Sequence, residues 1–363
     1  MDQSGILVGI AIVAALHLYA LTGGADFGGG VWDLLAAGPR AEKQRQAIHE
    51  AIAPIWEANH VWMIVVVVLL FSAFPAAFAV LMTVLHIPIA LMLGGIVLRG
   101  SAFAFRSYGI QTREAARRFG RVFAVTSAVT PVMLGVVLGA SISGRIPDHL
   151  DPGSGLAPFF TPWLAPFPWV LGGFVLALFA NLAAIYLCVE LPAGVPEGSP
   201  SRSVAPGESS ALEDAGDSRA ALREDFRRRA LASGVVCGLL AWAGVAAARR
   251  GAPEIYAGIM ASHWALPFQL TTGLVAAGAL AALWRRRFRL ARLLAITQVS
   301  LVVWGWGAAQ YPYLVVPGLR IDEAAAEEGV LRPILLILLA GSVILLPAFG
   351  YLFIIFKRRE KGV

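Results

Sequence analysis

Apolar runs alternate with short basic loops along the whole chain. A membrane span needs about 20 mostly apolar residues. Nine runs meet that length, over 6–35, 51–73, 76–105, 119–143, 166–191, 229–248, 265–284, 290–314 and 333–356. The pattern predicts an all-α polytopic membrane protein of nine transmembrane helices. The first and third runs exceed the bilayer's thickness, which points to tilt or a projecting end. The break at Phe74-Pro75 is abrupt, and Pro166, Phe167, Pro168 and Trp169 form an interfacial entry to the fifth run. Residues 193–222 are rich in Pro, Gly, Ser and acids and bury too little apolar area to order themselves. They read as a flexible cytoplasmic linker between five spans (1–192) and four (223–363).

Composition agrees. Hydrophobic residues make up 58% of the chain, mean hydropathy is +0.72, and charged residues are 14%, against about 25% in soluble domains. The pI of 9.7 does not mark a nucleic-acid binder, because the basic residues sit in loops between apolar runs. Sorted by loop, 24 of the 29 Lys and Arg fall on one side of the nine-span arrangement. The positive-inside bias then puts the N-terminus outside, in the periplasm, and the C-terminus in the cytoplasm. The N-terminal run lacks a preceding basic region and a small-residue cleavage site, so it reads as a span and not a removable signal. Cys188 and Cys237 read as free buried thiols without metal-ligand spacing.

Against this apolar background two acids stand out. Asp26 lies in Gly-Gly-Ala-Asp-Phe-Gly-Gly-Gly and Glu57 in Trp-Glu-Ala-Asn-His-Val-Trp. A carboxylate in hydrocarbon costs roughly 2.5–3.5 kcal/mol even on insertion scales, so it marks a proton- or ion-handling site. With the orientation above, both acids lie in the inner half of the bilayer. Glu57 and His60 are three apart, and Glu50 is seven before Glu57; on a continuous helix the three form one stripe. That stripe suits a proton wire, while pairing with Arg or His in a helix contact is the structural alternative. Gly23, Gly24, Gly28, Gly29 and Gly30 read first as small residues admitting close helix approach, and second as a bend or water entry. Arg99 and Arg106, seven apart, either pair with acids such as Asp33 or Glu50 or act as interfacial anchors. Haem iron needs facing axial ligands, and no two histidines in the spans share one helix at a stacked-haem spacing. No catalytic residue and no metal ligand is expected in this chain.

Taken together, these residues resemble a known family. Gly-Ala-Asp-Phe-Gly-Gly-Gly is similar to the Asp-Gly-Phe-Asp-x-Gly-x-Gly motif of subunit II of cytochrome bd quinol oxidases. Ala-Pro-Ile-Trp-Glu-Ala-Asn-His-Val-Trp resembles its Gly-Pro-x-Trp-Asp-Gly-Asn-x-Val-Trp. Arg99-Gly100, Phe103 and Phe105-Arg106 match an Arg-Gly-x-Ala-Phe-x-Phe-Arg stretch, and Tyr311-Pro312-Tyr313 with Pro317 resembles the outer end of the eighth helix. The resemblance implies a haem-free subunit of the bacterial cytoplasmic (inner) membrane. Its partner, subunit I, would carry haem b and haem d, or b alone, oxidise quinol and reduce dioxygen. Small single-span subunits and membrane lipid would complete the assembly, and a quinone would have a structural place in some members. Asp26 and Glu57 match the motif acids, and Trp56 and Asn59 match their neighbours. The chain departs from the pattern at Gly23, Ala25, Glu57, Ala58 and His60, which indicates a divergent branch, such as the cyanide-insensitive oxidases, with His60 as an added relay.

Two other classes fit the same acids. A proton-coupled secondary transporter would use Asp26 and Glu57 as coupling groups, but it favours matching broken helices in both halves, and only one half has a glycine-rich interruption. A structural homologue without catalysis would keep the helices and lose the wire.

Overall fold

The computed structural model describes residues 3–52, 59–108, 112–147, 155–191 and 206–359. Apart from one short hairpin the described chain is helical. In chain order the helices are α1 Gln3–Leu34, α2 Ala41–Ile52, α3 Val61–Ala73, α4 Pro75–Val84, α5 His86–Tyr108, α6 Arg113–Ser141, α7 Ala157–Leu164 and α8 Pro166–Glu190. They continue as α9 Pro206–Gly251, α10 Pro253–Ala261, α11 Ala265–Trp284 and α12 Phe288–Gln310. After the strands β1 Tyr313–Val315 and β2 Leu319–Arg320 come α13 Ile321–Ala324 and α14 Glu328–Arg359. Eight described helices are long and apolar enough to cross a membrane, and α3 with α4 makes a ninth only as a pair bent by 117°.

The bends follow from proline. Pro75 opens α4, and a residue before proline is pushed out of the helical region; Phe74 takes φ −135°, ψ 61° and lies fully buried in the corner. The carbonyl freed at Ala73 accepts the Ala326 N–H at 2.8 Å, so a distant segment satisfies the broken end. The third span expected over 76–105 is corrected: it is two helices, α4 and α5, parted at Leu85. Pro88 has no N–H to give and its ring would clash with the carbonyl four residues earlier, Val84. The missing hydrogen bond favours the break seen one turn earlier, at Leu85. The purely helical expectation is also corrected by the antiparallel β1–β2 pair, in register Tyr313↔Arg320 and Val315↔Leu319.

The sixth run, expected at 229–248, belongs to a longer helix. Within the expected linker, 193–205 lie outside the described residues, and from Pro206 onward the chain is already part of α9. The core is formed by α1, α6 and α8. At Gly28 an added Cβ would stand 2.0 Å from the Phe179 carbonyl oxygen, and at Gly30 it would stand 2.2 Å from Ser127 Cβ and Oγ. The glycine-rich stretch is thus a close-packing surface against α8 on one side and α6 on the other.

One end of the bundle gathers the basic loops. Arg40 clamps Asp225 with Nε at 2.9 Å and Nη2 at 2.7 Å. Gln44 also reaches Asp225, and Arg229 donates to Gln44 Oε1 at 2.8 Å. Arg286 lies 3.4 Å from Glu224, and Arg292 lies 3.2 Å from Glu190. The loops after α1 and α11, the end of α8 and the stretch of α9 around Glu224 to Arg229 therefore share one face.

Candidate functional site

The close approach of α1 to α6 and α8 encloses a polar cluster within the apolar core. Asp26 is 6% exposed and accepts a hydrogen bond from Asn59 Nδ2 at 2.5 Å. Asn59, also buried, stands just before α3, so the start of that helix carries the group that orients the Asp26 carboxylate. Arg99 of α5 is 0% exposed. Its guanidinium is sandwiched between the rings of Phe27 at 4.9 Å and Phe123 at 5.0 Å, contacts favourable to a desolvated cation. Its Nε donates to Ser127 Oγ at 3.1 Å, and Ser127 donates onward to Phe123 O at 2.7 Å. The opposite charges of Asp26 and Arg99 act on one another inside the cluster.

His60, a turn residue ahead of α3, packs its ring against Tyr19 at 6.0 Å and Phe27 at 5.8 Å between centroids. Among the described residues both His60 ring nitrogens, Asn59 Oδ1 and Arg99 Nη1 and Nη2 have no hydrogen-bond partner. Five buried polar atoms in one place are exceptional, because such groups are nearly always satisfied by protein or water. The arrangement holds a fixed cation, a carboxylate and a titratable imidazole in van der Waals reach of one another's neighbours, a set that can accept and return protons.

The sequence-predicted residues divide as follows. Asp26, Asn59, His60 and Arg99 are brought together. Glu57 and Trp56 lie outside the described residues, and so does the side chain of Arg106. Glu50 is exposed in the last turn of α2 and accepts from Gln46 Nε2 at 2.9 Å. The helical stripe expected through Glu50, Glu57 and His60 runs through 53–58, which lie outside the described residues; of its ends, Glu50 belongs to α2 and His60 is the turn residue before α3. Arg99 is neither an interfacial anchor nor a partner of Asp33, which lies 3.8 Å from Arg45. Counted among the inner-face charges, it is instead a buried residue of the core.

Tyr19, Phe27, Phe123 and Ser127 were not singled out from the sequence. Tyr19 precedes Asp26 by seven residues and so shares its helix face, a signal that was present. Ser127 stands with Thr126 and Thr130 in an apolar run, each bonded back to its own helix, and nothing local marks it as an arginine's acceptor.

Among the described residues no group of three or more His, Cys, Asp or Glu forms a metal site. Of the histidines, His17 Nε2 lies 2.8 Å from Ser300 Oγ, His86 Nδ1 lies 2.9 Å from Thr83 O, and His60 packs against aromatic rings.

Residues 5–198 and 215–356 match the family described as cytochrome bd terminal oxidase subunit II. The chain is 24% identical over 366 residues to a Bacillus subtilis (strain 168) protein described as a putative cytochrome bd menaquinol oxidase subunit II, covering 98% of this chain and 97% of that one. A shorter match, 30% identical over 108 residues, relates it to cytochrome bd-I ubiquinol oxidase subunit 2 of Escherichia coli (strain K12), over 30% of this chain and 27% of that one. In fold it is similar to a chain of the bd oxidase from Geobacillus thermodenitrificans, with a TM-score of 0.67 at 21% identity, covering 96% of this chain and 98% of the other. The chain belongs to the cytochrome bd terminal oxidase subunit II family.

Proposed function

We propose that this chain is the haem-free subunit of a bd-type quinol:oxygen oxidoreductase and leads protons from the cytoplasm toward the oxygen-reducing centre of its partner, subunit I. The haems belong to that partner, and this chain's own residues take no part in the redox step. The family places the chain in an oxidoreductase complex with subunit I. Nine passes, with the N-terminus in the periplasm and the C-terminus in the cytoplasm of a bacterial inner membrane, complete the reading. It is supported by the shared basic face of Arg40, Arg229 and Arg286, which the positive-inside bias assigns to the cytoplasm.

The observation that carries the proton role is the buried cluster of Asp26, Asn59, His60 and Arg99, whose five unpartnered polar atoms call for internal water. Buried water between a carboxylate and an imidazole provides the hydrogen-bonded steps a proton needs. Asp26 is the proton carrier of the cluster, Asn59 and Arg99 position it, and His60 relays. Glu57, the other motif acid, lies between the cytoplasmic α2 and this cluster in sequence and is the entry group after Glu50.

The test is Asp26→Asn in the intact complex, reconstituted into liposomes. Oxygen consumption is expected to fall by at least about tenfold, the scale of losing a positioned proton-transfer group. The reduced-minus-oxidised haem spectrum is expected to stay unchanged, which separates a blocked path from a broken assembly. Unaltered turnover and charge movement in both Asp26→Asn and Glu57→Gln would leave a purely supporting role and defeat the proposal.

A further inference from the structure

A groove of about 660 Å³ opens on the basic face, where α9 passes the turn between α11 and α12. Arg223, Arg286, Arg287 and Arg289 line it, with Phe288, against one acid, Glu224. Glu224 is already held by Arg227 of its own helix, with Nη2 at 2.7 Å and Nε at 2.9 Å. Arg223 forms the floor: its Nε donates to Cys188 O at 2.8 Å, and its guanidinium lies 4.5 Å over the Phe288 ring. The groove is thus a shaped, strongly cationic surface.

The turn that supplies two of these arginines is built in an unusual way. Arg286 donates its N–H to Leu283 O at 3.1 Å and Arg287 donates to Ala282 O at 2.8 Å, the paired bonds that close a helix with a left-handed residue. That residue is normally glycine, yet here it is Arg286 at φ +58°, the sole non-glycine with positive φ among the described residues. A loop that only fixes orientation needs its charge and gains nothing from placing an arginine at a strained position. Backbone strain of this kind is an observation from which function is inferred.

Two further observations indicate what the groove takes. The N-cap of α12, Arg287, offers no side-chain acceptor to the first-turn N–H groups, and a helix start of that kind favours an anion. The groove's own lining includes an exposed apolar side chain, Leu290 at 42%, and Trp284, 75% exposed, ends α11 directly before the turn. A soluble phosphate compound has no use for them; a lipid's acyl chains do.

We propose that this groove binds the phosphate headgroup of an anionic phospholipid, with the acyl chains lying along Leu290 and Trp284. Basic pockets between helices on the cytoplasmic side are suited to such headgroups. The site is separate from the proton cluster and does not depend on it.

The experiment uses the delipidated complex of this chain with its partner, titrated with dioctanoyl phosphatidylglycerol, dioctanoyl phosphatidylcholine and inorganic phosphate. The variant is Arg286→Gly with Arg289→Gln; glycine suits φ +58°, so folding of the turn is preserved. Wild type is expected to bind phosphatidylglycerol in preference to phosphatidylcholine, without displacement by millimolar phosphate. At roughly fivefold per arginine, the double variant should bind about 25-fold more weakly. Equal binding by the variant, or equal binding of the zwitterionic lipid, would overturn the proposal. Displacement of the lipid by millimolar phosphate would overturn it in favour of a soluble phosphate compound.

Discussion

Replacing Gly28 by alanine tests the packing that encloses the polar cluster. The new Cβ would lie 2.0 Å from the Phe179 carbonyl oxygen and 2.5 Å from its carbonyl carbon. Ordinary contact begins near 3.4 Å, so α1 and α8 would have to part by about 1.4 Å at this point. The obstacle is backbone, so no side chain can turn away. Overpacking of this kind costs about 1–3 kcal/mol, and it should also open the cluster around Asp26, two residues earlier. Thermal unfolding of the purified complex, followed with oxygen consumption, should show both a lower Tm and a lower rate. Gly24→Ala is the informative neighbour: its Cβ would meet the Phe179 ring at 2.7 Å, so Phe179→Leu should rescue it while leaving Gly28→Ala impaired. Gly94→Ala is the control. Nothing stands within 4 Å of that position, and alanine in a helix interior is worth up to about 1 kcal/mol over glycine. An unchanged Tm for Gly28→Ala, or an equal loss for Gly94→Ala, would refute the claim that these glycines are there for contact.

Gly30→Ala should also destabilise the complex, because its Cβ would stand 2.2 Å from both Cβ and Oγ of Ser127; Ser127→Gly should relieve it and Ser127→Ala should not, as read by Tm. Asp26→Asn and Arg99→Met should be strongly non-additive. Each charge lies in the other's field within one polar cluster, and residues of one network couple by about 0.5–3 kcal/mol. The double variant removes both charges, so a denaturation cycle that gives simple additivity would rule out their coupling.

Hydrophobic run lengths matched six of the long helices, α1, α6, α8, α11, α12 and α14, to within about six residues at each end, because a membrane helix must satisfy its backbone internally and its length follows from bilayer thickness. The failures have two causes. Hydropathy averages over windows and does not register where a helix turns, so α4 and α5 merged into one run although Pro88 stood within it. The hairpin of β1 and β2 was missed because it owes its place to contacts distant in sequence, such as Val316 N–H to Ser141 O at 3.1 Å. The close-packing glycines were legible in kind, since small residues at helix spacing imply approach. Their partners, Phe179 and Ser127, were not, because nothing in a sequence says which two helices meet.

The candidate site shows the same limit from the other direction. Asp26 was recognisable from its cost: an acid in hydrocarbon needs a reason to be there. Arg99 carries the same cost, yet the sequence leaves it either an interfacial anchor or a partner of acids such as Asp33 or Glu50, because the end of an apolar run and the edge of a membrane look alike in one dimension. Only the packing of α5 against α6, which itself packs against α1, places its guanidinium between Phe27 and Phe123. A buried arginine that spends Nε on Ser127 and leaves both Nη groups unpartnered would be costly in a dry core. The same arginine is well placed beside internal water and a carboxylate. The placement of Arg99 therefore argues, independently of any motif, that the interior between α1, α5 and α6 is polar and wet where hydropathy alone predicts oil.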